Sequence, residues 1–194
     1  MGDGIDASKS ELRLALGQFA TGVTIVTSVG ANREPIGVTA NSFNSVSLEP
    51  PMVLWSLSNS AYSRDAFESA EYFCVHVLTS EQQELSSLFA CAGADKFANL
   101  NWSRGLGDVP LLKDYVARFQ CRSTDRLPVG DHTVFVGEVL HYENRDKRPL
   151  VYHGGRYALA ERRMTVDSDR GEDNRARTAA VRRATLAKRR NGNT

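Results

Sequence analysis

The residues best suited to hold a ligand lie together at 37–51, in GVTANSFNSVSLEPP. Thr39, Ala40, Asn41, Ser42, Asn44, Ser45 and Ser47 are small or carry a hydroxyl or amide, and Phe43 is the one large ring among them. Bulky side chains would hold a flat molecule off the main chain. Small ones let it approach backbone N–H and C=O groups, with hydroxyls and amides beside them. The chemistry open to such a stretch is recognition of a flat, mostly uncharged ring with amide-like edges. Pro50 and Pro51 fix the exit, because the residue before a proline is driven to extended geometry. The same alternation of Thr, Ser and Val also describes an ordinary half-exposed strand, and this stretch by itself does not separate the two. No carboxylate pair and no nucleophile–base set stands out elsewhere. Cys74, Cys91 and Cys121 have no CxxC spacing and read as reduced, structural thiols rather than a metal or redox site.

The elements that must position this stretch follow from periodicity. Ser8 and Glu11 form a capping box at the start of a helix whose apolar stripe is Leu12, Ala15, Leu16 and Phe19, with Gly22 at or just past its end. Residues 22–29 read as a strand and 30–34 as a hairpin loop. Pro35 opens the strand that runs into the central stretch, and 52–57 leaves it as another. Ser60 or Ser63 caps a short helix. Residues 71–78 alternate as a strand, with Phe73, Val75 and Val77 on one face and His76, a packed or surface histidine, on the other. Thr79 and Ser80 cap a helix striped by Leu85, Leu88 and Phe89 and ended by Gly93. Residues 94–113 show no sustained period and read as one long loop, which in a compact domain is usually functional or disordered. A strand at 115–122, a turn through Leu127, Pro128 and Gly130, and a long strand at 132–142 come next. Gly137 inside that strand marks a bulge or a close backbone approach. A hairpin across Gly154 and Gly155 closes the sheet. The class is therefore mainly β, with short antiparallel strands and flanking helices. A barrel or strongly curled sheet is the economical form, since closure removes exposed edges. Nothing reads as βαβ, and no GxGxxG follows a strand, so a separate dinucleotide-binding domain is not expected.

The 194 residues are 41% hydrophobic and 24% charged, enough for one domain with a real core. No apolar run approaches the roughly 18 residues of a membrane span, and the N-terminus has no signal-peptide core. With reduced cysteines, these features point to a cytoplasmic protein. The net charge of +1 is uneven: residues 162–194 carry ten Lys/Arg against four Asp/Glu, a net of +6, which leaves −5 for the rest. The expected division is a domain at 1–161 and a basic tail at 162–194, in which residues 175–190 can form a basic helix. The acidic body argues against a nucleic-acid role for that tail.

Six segments, in order, resemble the flavin reductase-like family, the FMN-binding split barrels that serve as reductase components of two-component monooxygenases. They are QFATGVTIVT (18–27), GVTANSFNSVSLEPPMV (37–53), FCVHVL (73–78), LFACAGADKF (88–97), GDHTVFVGEV (130–139) and PLVYHGGRYALA (149–160). The resemblance implies a homodimer of six-stranded antiparallel Greek-key split barrels with flavin near the subunit interface. By position it implies that Thr39, Ala40, Asn41, Ser42 and Phe43 line the isoalloxazine and ribityl, and that Ser45, Val46 and Ser47 continue the wall. Asn59, Ser60 and Ser63 match the segment that takes the phosphate. Relatives often carry a basic residue there; here Arg64 is displaced, and Lys96 in Asp95-Lys96-Phe97 is the other candidate. His132, in Gly130-Asp131-His132, falls where related proteins place a histidine near flavin and nicotinamide. His153 and Tyr157 are weaker candidates for the nicotinamide side.

The activity implied is NAD(P)H-dependent reduction of exchangeable FMN or FAD by hydride transfer, with the reduced flavin passed to a partner monooxygenase. Both reactants bring their own reactivity, so the protein supplies stacking, orientation and field, and no catalytic acid is obligatory. No arginine cluster for a 2′-phosphate is evident, which favours NADH over NADPH. The rival readings are a non-catalytic flavin- or haem-binding split-barrel sensor or carrier, and an oxidase of the pyridoxamine-phosphate type on a similar barrel.

Overall fold

The computed structural model describes residues 8–93 and 95–161. The tail at 162–194, and the expectation of a basic helix in it, lie outside the described residues.

Ser8 caps α1 (Lys9–Leu16) as its sequence requires: its hydroxyl accepts from Glu11 N at 3.3 Å, and the Glu11 carboxylate accepts from Ser8 N at 3.0 Å. The helix ends at Gly17, five residues before the expected Gly22. None of α1 is buried, and Leu14, Leu16 and Phe19 are 65–77% exposed. The chain then forms β1 (Thr21–Gly22), β2 (Thr24–Val29), β3 (Pro35–Ala40), β4 (Asn44–Leu48), β5 (Pro51–Ser58), α2 (Arg64–Ser69), β6 (Tyr72–Val77) and α3 (Gln83–Ala90). After them come β7 (Trp102–Arg104), β8 (Pro110–Leu112), β9 (Ala117–Val129), β10 (His132–Asn144), β11 (Leu150–His153) and β12 (Arg156–Leu159).

The main sheet runs β3-β2-β6-β9-β10-β5-β4, every neighbour antiparallel. Its two ends, β3 and β4, are consecutive in sequence and separated only by 41–43. A flat sheet of this width would hold them roughly 29 Å apart at ~4.8 Å per strand, whereas four residues reach at most ~14 Å. The sheet must therefore curl until its edges meet. β4 adds one strand to the expected six; it is the second half of the ligand-suited stretch, pairing with β5 across the Pro50 and Pro51 turn.

Alternation fills the barrel. Val53, Trp55 and Leu57 of β5 are buried while their neighbours are not. Trp55 stacks on Phe135 at 4.7 Å and meets Phe67 of α2 edge-on at 4.9 Å. Gly137 is both a register shift and a close approach, because an added Cβ would lie 2.5 Å from the Phe73 ring. A second cluster of Ile25, Leu78, Phe89, Phe97, Leu112 and Leu150 lies outside the first.

Three expectations are corrected. Residues 94–113 are not one loop: β7 and β8 form a small ladder there, too short to show a period, and Val109, Leu111 and Leu112 are buried. The turn expected through Leu127 and Pro128 is strand; only Gly130 and Asp131 separate β9 from β10. Pro128 is tolerated because β9 has no second neighbour beyond Arg122. The Gly154–Gly155 hairpin forms, but it pairs with β1 in a separate three-stranded sheet rather than closing the main one.

His76 is fully buried, which ends the choice between packed and surface. Its Nδ1 lies 3.2 Å from Ile25 O, and Leu112 N donates to its Nε2 at 3.1 Å, so one ring ties β6 to β2 and β8. Burial pulls its pKa down to about 3. Desolvation likewise raises the thiols of Cys74 and Cys121, the latter to about 12. Both are inert packing groups. Cys91 differs from the expectation for it: it is exposed, at the end of α3.

Candidate functional site

A cavity of about 530 Å³ opens beside β3, between the 61–63 segment and the 89–97 segment. Its floor includes Gly37, where an added Cβ would lie 2.5 Å from the Phe89 ring, so only glycine fits there. Ser63, Tyr62, Cys91 and Lys96 stand on its walls. Lys96 Nζ donates to Gly37 O at 3.0 Å and Phe89 O at 2.9 Å. An ammonium has three donors, so one remains for whatever enters the cavity. Partial burial lowers the Lys96 pKa, and the sequence position of Lys96 next to Phe97, buried in the outer cluster, is what anchors it. Arg64 is not on the wall; its guanidinium donates to Glu68 at 2.6 Å within α2.

The ligand-suited stretch divides in two. Thr39, Ala40, Ser42 and Phe43 serve the fold. Thr39 Oγ1 donates to Ser86 O on α3 at 2.6 Å, and Ala40 is buried. Ser42 Oγ accepts from Ser56 N at 2.9 Å and donates to Ser56 O at 3.1 Å, pinning the strand end to β5. Phe43 stacks on Phe119 at 5.5 Å. Asn41, Ser45 and Val46 are exposed, and Asn41 has no side-chain hydrogen bond among the described residues. Ser47 Oγ accepts from Glu49 N at 3.2 Å. As the sheet's end strand, β4 also offers unpaired backbone groups.

His132 sits at the first position of β10, opposite Ser58 of β5. Its Nδ1 lies 2.7 Å from Asp131 Oδ1, which orients the ring and leaves Nε2 without a protein partner among the described residues. The histidine's hydrogen bond holds the Asp131 carboxyl below its ordinary pKa. Asn59 and Ser60 follow directly after Ser58, so the 58–63 segment runs from the histidine to the cavity wall at Ser63. Ser60 Oγ pairs with Ser58 Oγ at 2.9 Å. Ser63 stands at the N-cap of α2 but makes no capping bond, so its hydroxyl is free among the described contacts.

A model of the flavin reductase like domain matches residues 16–160. The chain belongs to the flavin reductase-like family. It is 45% identical over 150 residues to the FMN reductase (NADH) SmoA of Agrobacterium fabrum, covering 77% of this chain and 85% of that protein. Over 177 residues it is 36% identical to HsaB, the reductase subunit of a flavin-dependent monooxygenase of Rhodococcus jostii, covering 89% of this chain and 90% of HsaB. Among solved structures, the Streptomyces globisporus NADH:FAD oxidoreductase SgcE6 in complex with NAD and FAD fragments superposes with a TM-score of 0.73. It is 36% identical, and the match covers 87% of this chain and 99% of that one. Against some longer curated relatives the chain spans 47% of the relative's length. The curled sheet is thus the split barrel of the flavin reductase-like fold.

The donor set of this flavin reductase-like chain suits a flavin. A glycine floor, a wall of small residues, one available ammonium N–H and a free strand edge are what a flat ring with a phosphate tail requires. The structure brings Ser63 and Lys96 to the cavity, and links Asn59, Ser60 and His132 beside it. Tyr157 is joined to Thr39 through one residue: its hydroxyl donates to Ser86 Oγ at 2.9 Å, while Thr39 holds Ser86 O. His153 stays apart, exposed at the β11–β12 turn. Sequence reading missed Ser86, Gly37, Tyr62 and Thr133. Ser86 carried a signal, since a serine three residues before Phe89 interrupts the apolar stripe of α3. Thr133, next to His132, alternates inward and is 1% exposed.

Proposed function

We propose that this chain is an NADH-dependent flavin reductase that reduces exchangeable FMN or FAD and supplies it to a flavin-dependent monooxygenase. The observation that carries the reading is the cavity beside β3, with its glycine floor and its single half-buried lysine, in a chain matched to the family from 16 to 160. Relatives named as NADH-dependent FMN and FAD reductases and as monooxygenase reductase subunits support it. When bound, flavin accepts a hydride from the nicotinamide. The chain's residues do the rest. Lys96 and Ser63 hold the phosphate, the β4 edge with Asn41 and Ser45 holds the ring's amide-like rim, and His132 orients the reactants through Nε2. His132 is the ionisable group we assign to the ring end, able to donate where negative charge develops. His153 and Tyr157 border the nicotinamide side, with Tyr157 acting through Ser86.

The chain functions as a homodimer. Leu14 and Leu16 on α1, Phe19 just past it, and Val46, Leu48, Leu127 and Val129 on the sheet are more than half exposed, a large apolar surface for a lone subunit. No helix among the described residues is long and apolar enough to cross a membrane. A cytoplasmic site follows from the use of NADH. Mixing the purified protein with NADH and following nicotinamide absorbance tests the reading. Oxidation is expected only when FMN or FAD is added. A flavin retained through dialysis, with no turnover of added flavin, marks a carrier or a resident-flavin oxidase instead.

A further inference from the structure

Three polar groups of Asn59 bond to one short segment. Its backbone N donates to Asp131 O at 2.9 Å, its Nδ2 donates to Gly130 O at 3.4 Å, and its Oδ1 accepts from Thr133 Oγ1 at 3.0 Å. Gly130 and Asp131 are the whole connection between β9 and β10, and Gly130 takes a φ of +59° to make it. Both carbonyls of that turn, and the first inward side chain after it, are therefore held by one asparagine just past the end of β5. His132 lies between the points held. Its ring is fixed by Asp131 Oδ1, so any rotation of the 130–131 peptide would move both the ring and its partner. The brace continues on the far side of Thr133. Its hydroxyl also lies 3.5 Å from Glu68 Oε1, which accepts from Arg64 at 2.6 Å. With one proton, Thr133 serves the nearer acceptor, Asn59. Thr133 is 1% exposed, so loss of Asn59 leaves its buried hydroxyl with only the longer contact to Glu68.

We propose that Asn59 is a positioning residue for His132, not a ligand of the flavin phosphate: it locks the Gly130–Asp131 turn so that the imidazole is presented in one orientation. The carboxamide's acceptor and one of its donors are already committed to protein groups, Thr133 and Gly130. The proposal rests on the reading of His132 as the residue that orients the reactants, and it changes the role that position in the chain gave to Asn59.

The test separates the two. The chain has four histidines, and the imidazole resonance of His132 in the flavin-free protein is assigned by its loss in His132→Gln. Asn59→Ala is expected to shift that resonance while leaving the resonances of His76, His141 and His153 in place. In NADH oxidation with added flavin, Asn59→Ala is expected to lower kcat about tenfold with the flavin KM nearly unchanged. In a His132→Ala background the same change should cost less than about twofold, the non-additivity of residues acting as a unit. Thr133→Val and Asn59→Asp cover the case in which Asn59→Ala does not fold. Thr133→Val should reproduce the His132 shift, and Asn59→Asp, which keeps the acceptor for Thr133, should restore part of kcat. An unmoved His132 resonance overturns the proposal, as does a raised flavin KM at constant kcat, which would mark a phosphate ligand. Should His132→Ala leave kcat intact, the role of the histidine falls, while a shifted resonance in Asn59→Ala still establishes the brace.

Discussion

In the proposed site two side chains would have opposite duties towards one ligand. Lys96 would supply ground-state attraction, since a phosphate keeps its charge throughout turnover. His132 would face a ring that gains charge only as the reaction proceeds. Lys96→Met should therefore raise the flavin KM about ten- to a hundredfold, the worth of one charge-assisted hydrogen bond, with little change in kcat. Steady-state kinetics on a variant whose circular dichroism matches the parent checks this, and an unchanged KM would move the phosphate elsewhere. His132→Ala should instead lower kcat by about ten- to a hundredfold and move the flavin KM less, with His132→Gln retaining more activity because it keeps a donor. A rise in the NADH KM alone would show that the histidine only orders the nicotinamide. Sequence placed both residues by motif. It could not say that Thr39, Ser42 and Phe43 would be committed to the fold, because their partners, Ser86, Ser56 and Phe119, lie 14 to 76 positions away in the chain.

At the level of elements, His76 joins three strands through a neutral ring. Its folded pKa is about 3 against an ordinary 6.5. Below pH 6.5 the unfolded chain gains a proton that the folded chain refuses, so stability is full above that pH and is lost as pH falls towards 3. The slope is at most about 1.4 kcal/mol per pH unit. Asp114, Asp131 and Glu143 have lowered pKa values and act only at more acid pH, so the window from pH 6.5 to 5 isolates the histidine. Urea unfolding at pH 7, 6 and 5 should show this loss, and His76→Gln, stable or not at pH 7, should flatten it. A variant with the parent's slope would assign the effect to another group. Gly137→Val tests the other tight contact: forcing a side chain against Phe73 should cost about 1–3 kcal/mol. The strands and the Ser8 cap were legible because local periodicity and capping chemistry write them. The β7–β8 ladder was not, since three-residue strands have no period and are held by distant groups such as His76. The strand through Pro128 was hidden for a related reason: whether a proline interrupts a ladder depends on whether a second neighbour is there.

For the whole molecule, the family match ends at residue 160, while the chain continues for a further 34 residues with a net positive charge. Truncation after residue 161 should leave NADH oxidation with added flavin within about twofold of the parent, because every residue assigned a role here lies before it; a larger fall would give the tail a part in the reductase itself. Subunit association is the sharper question. The apolar face of α1 lacks any cover from the described residues of its own subunit, and burying a leucine-sized side chain contributes about 1.5–3 kcal/mol. Leu12, Leu14 and Leu16 of α1 and Phe19 just past it are 47–77% exposed, so covering them against a second copy is favourable. Light scattering should find twice the subunit mass of 21.4 kDa. Replacing Leu14 and Phe19 together with glutamate should shift the protein towards the monomer, since two unpaired carboxylates on each copy would meet an apolar partner. If flavin sits near the subunit boundary, the flavin KM should then fall back towards the parent value as protein concentration is raised. A variant that is monomeric at every concentration yet binds flavin as the parent does would place the whole site within one subunit. A variant that stays dimeric would move the interface to the outer face of β4 and β9, where Val46, Leu48, Leu127 and Val129 are exposed.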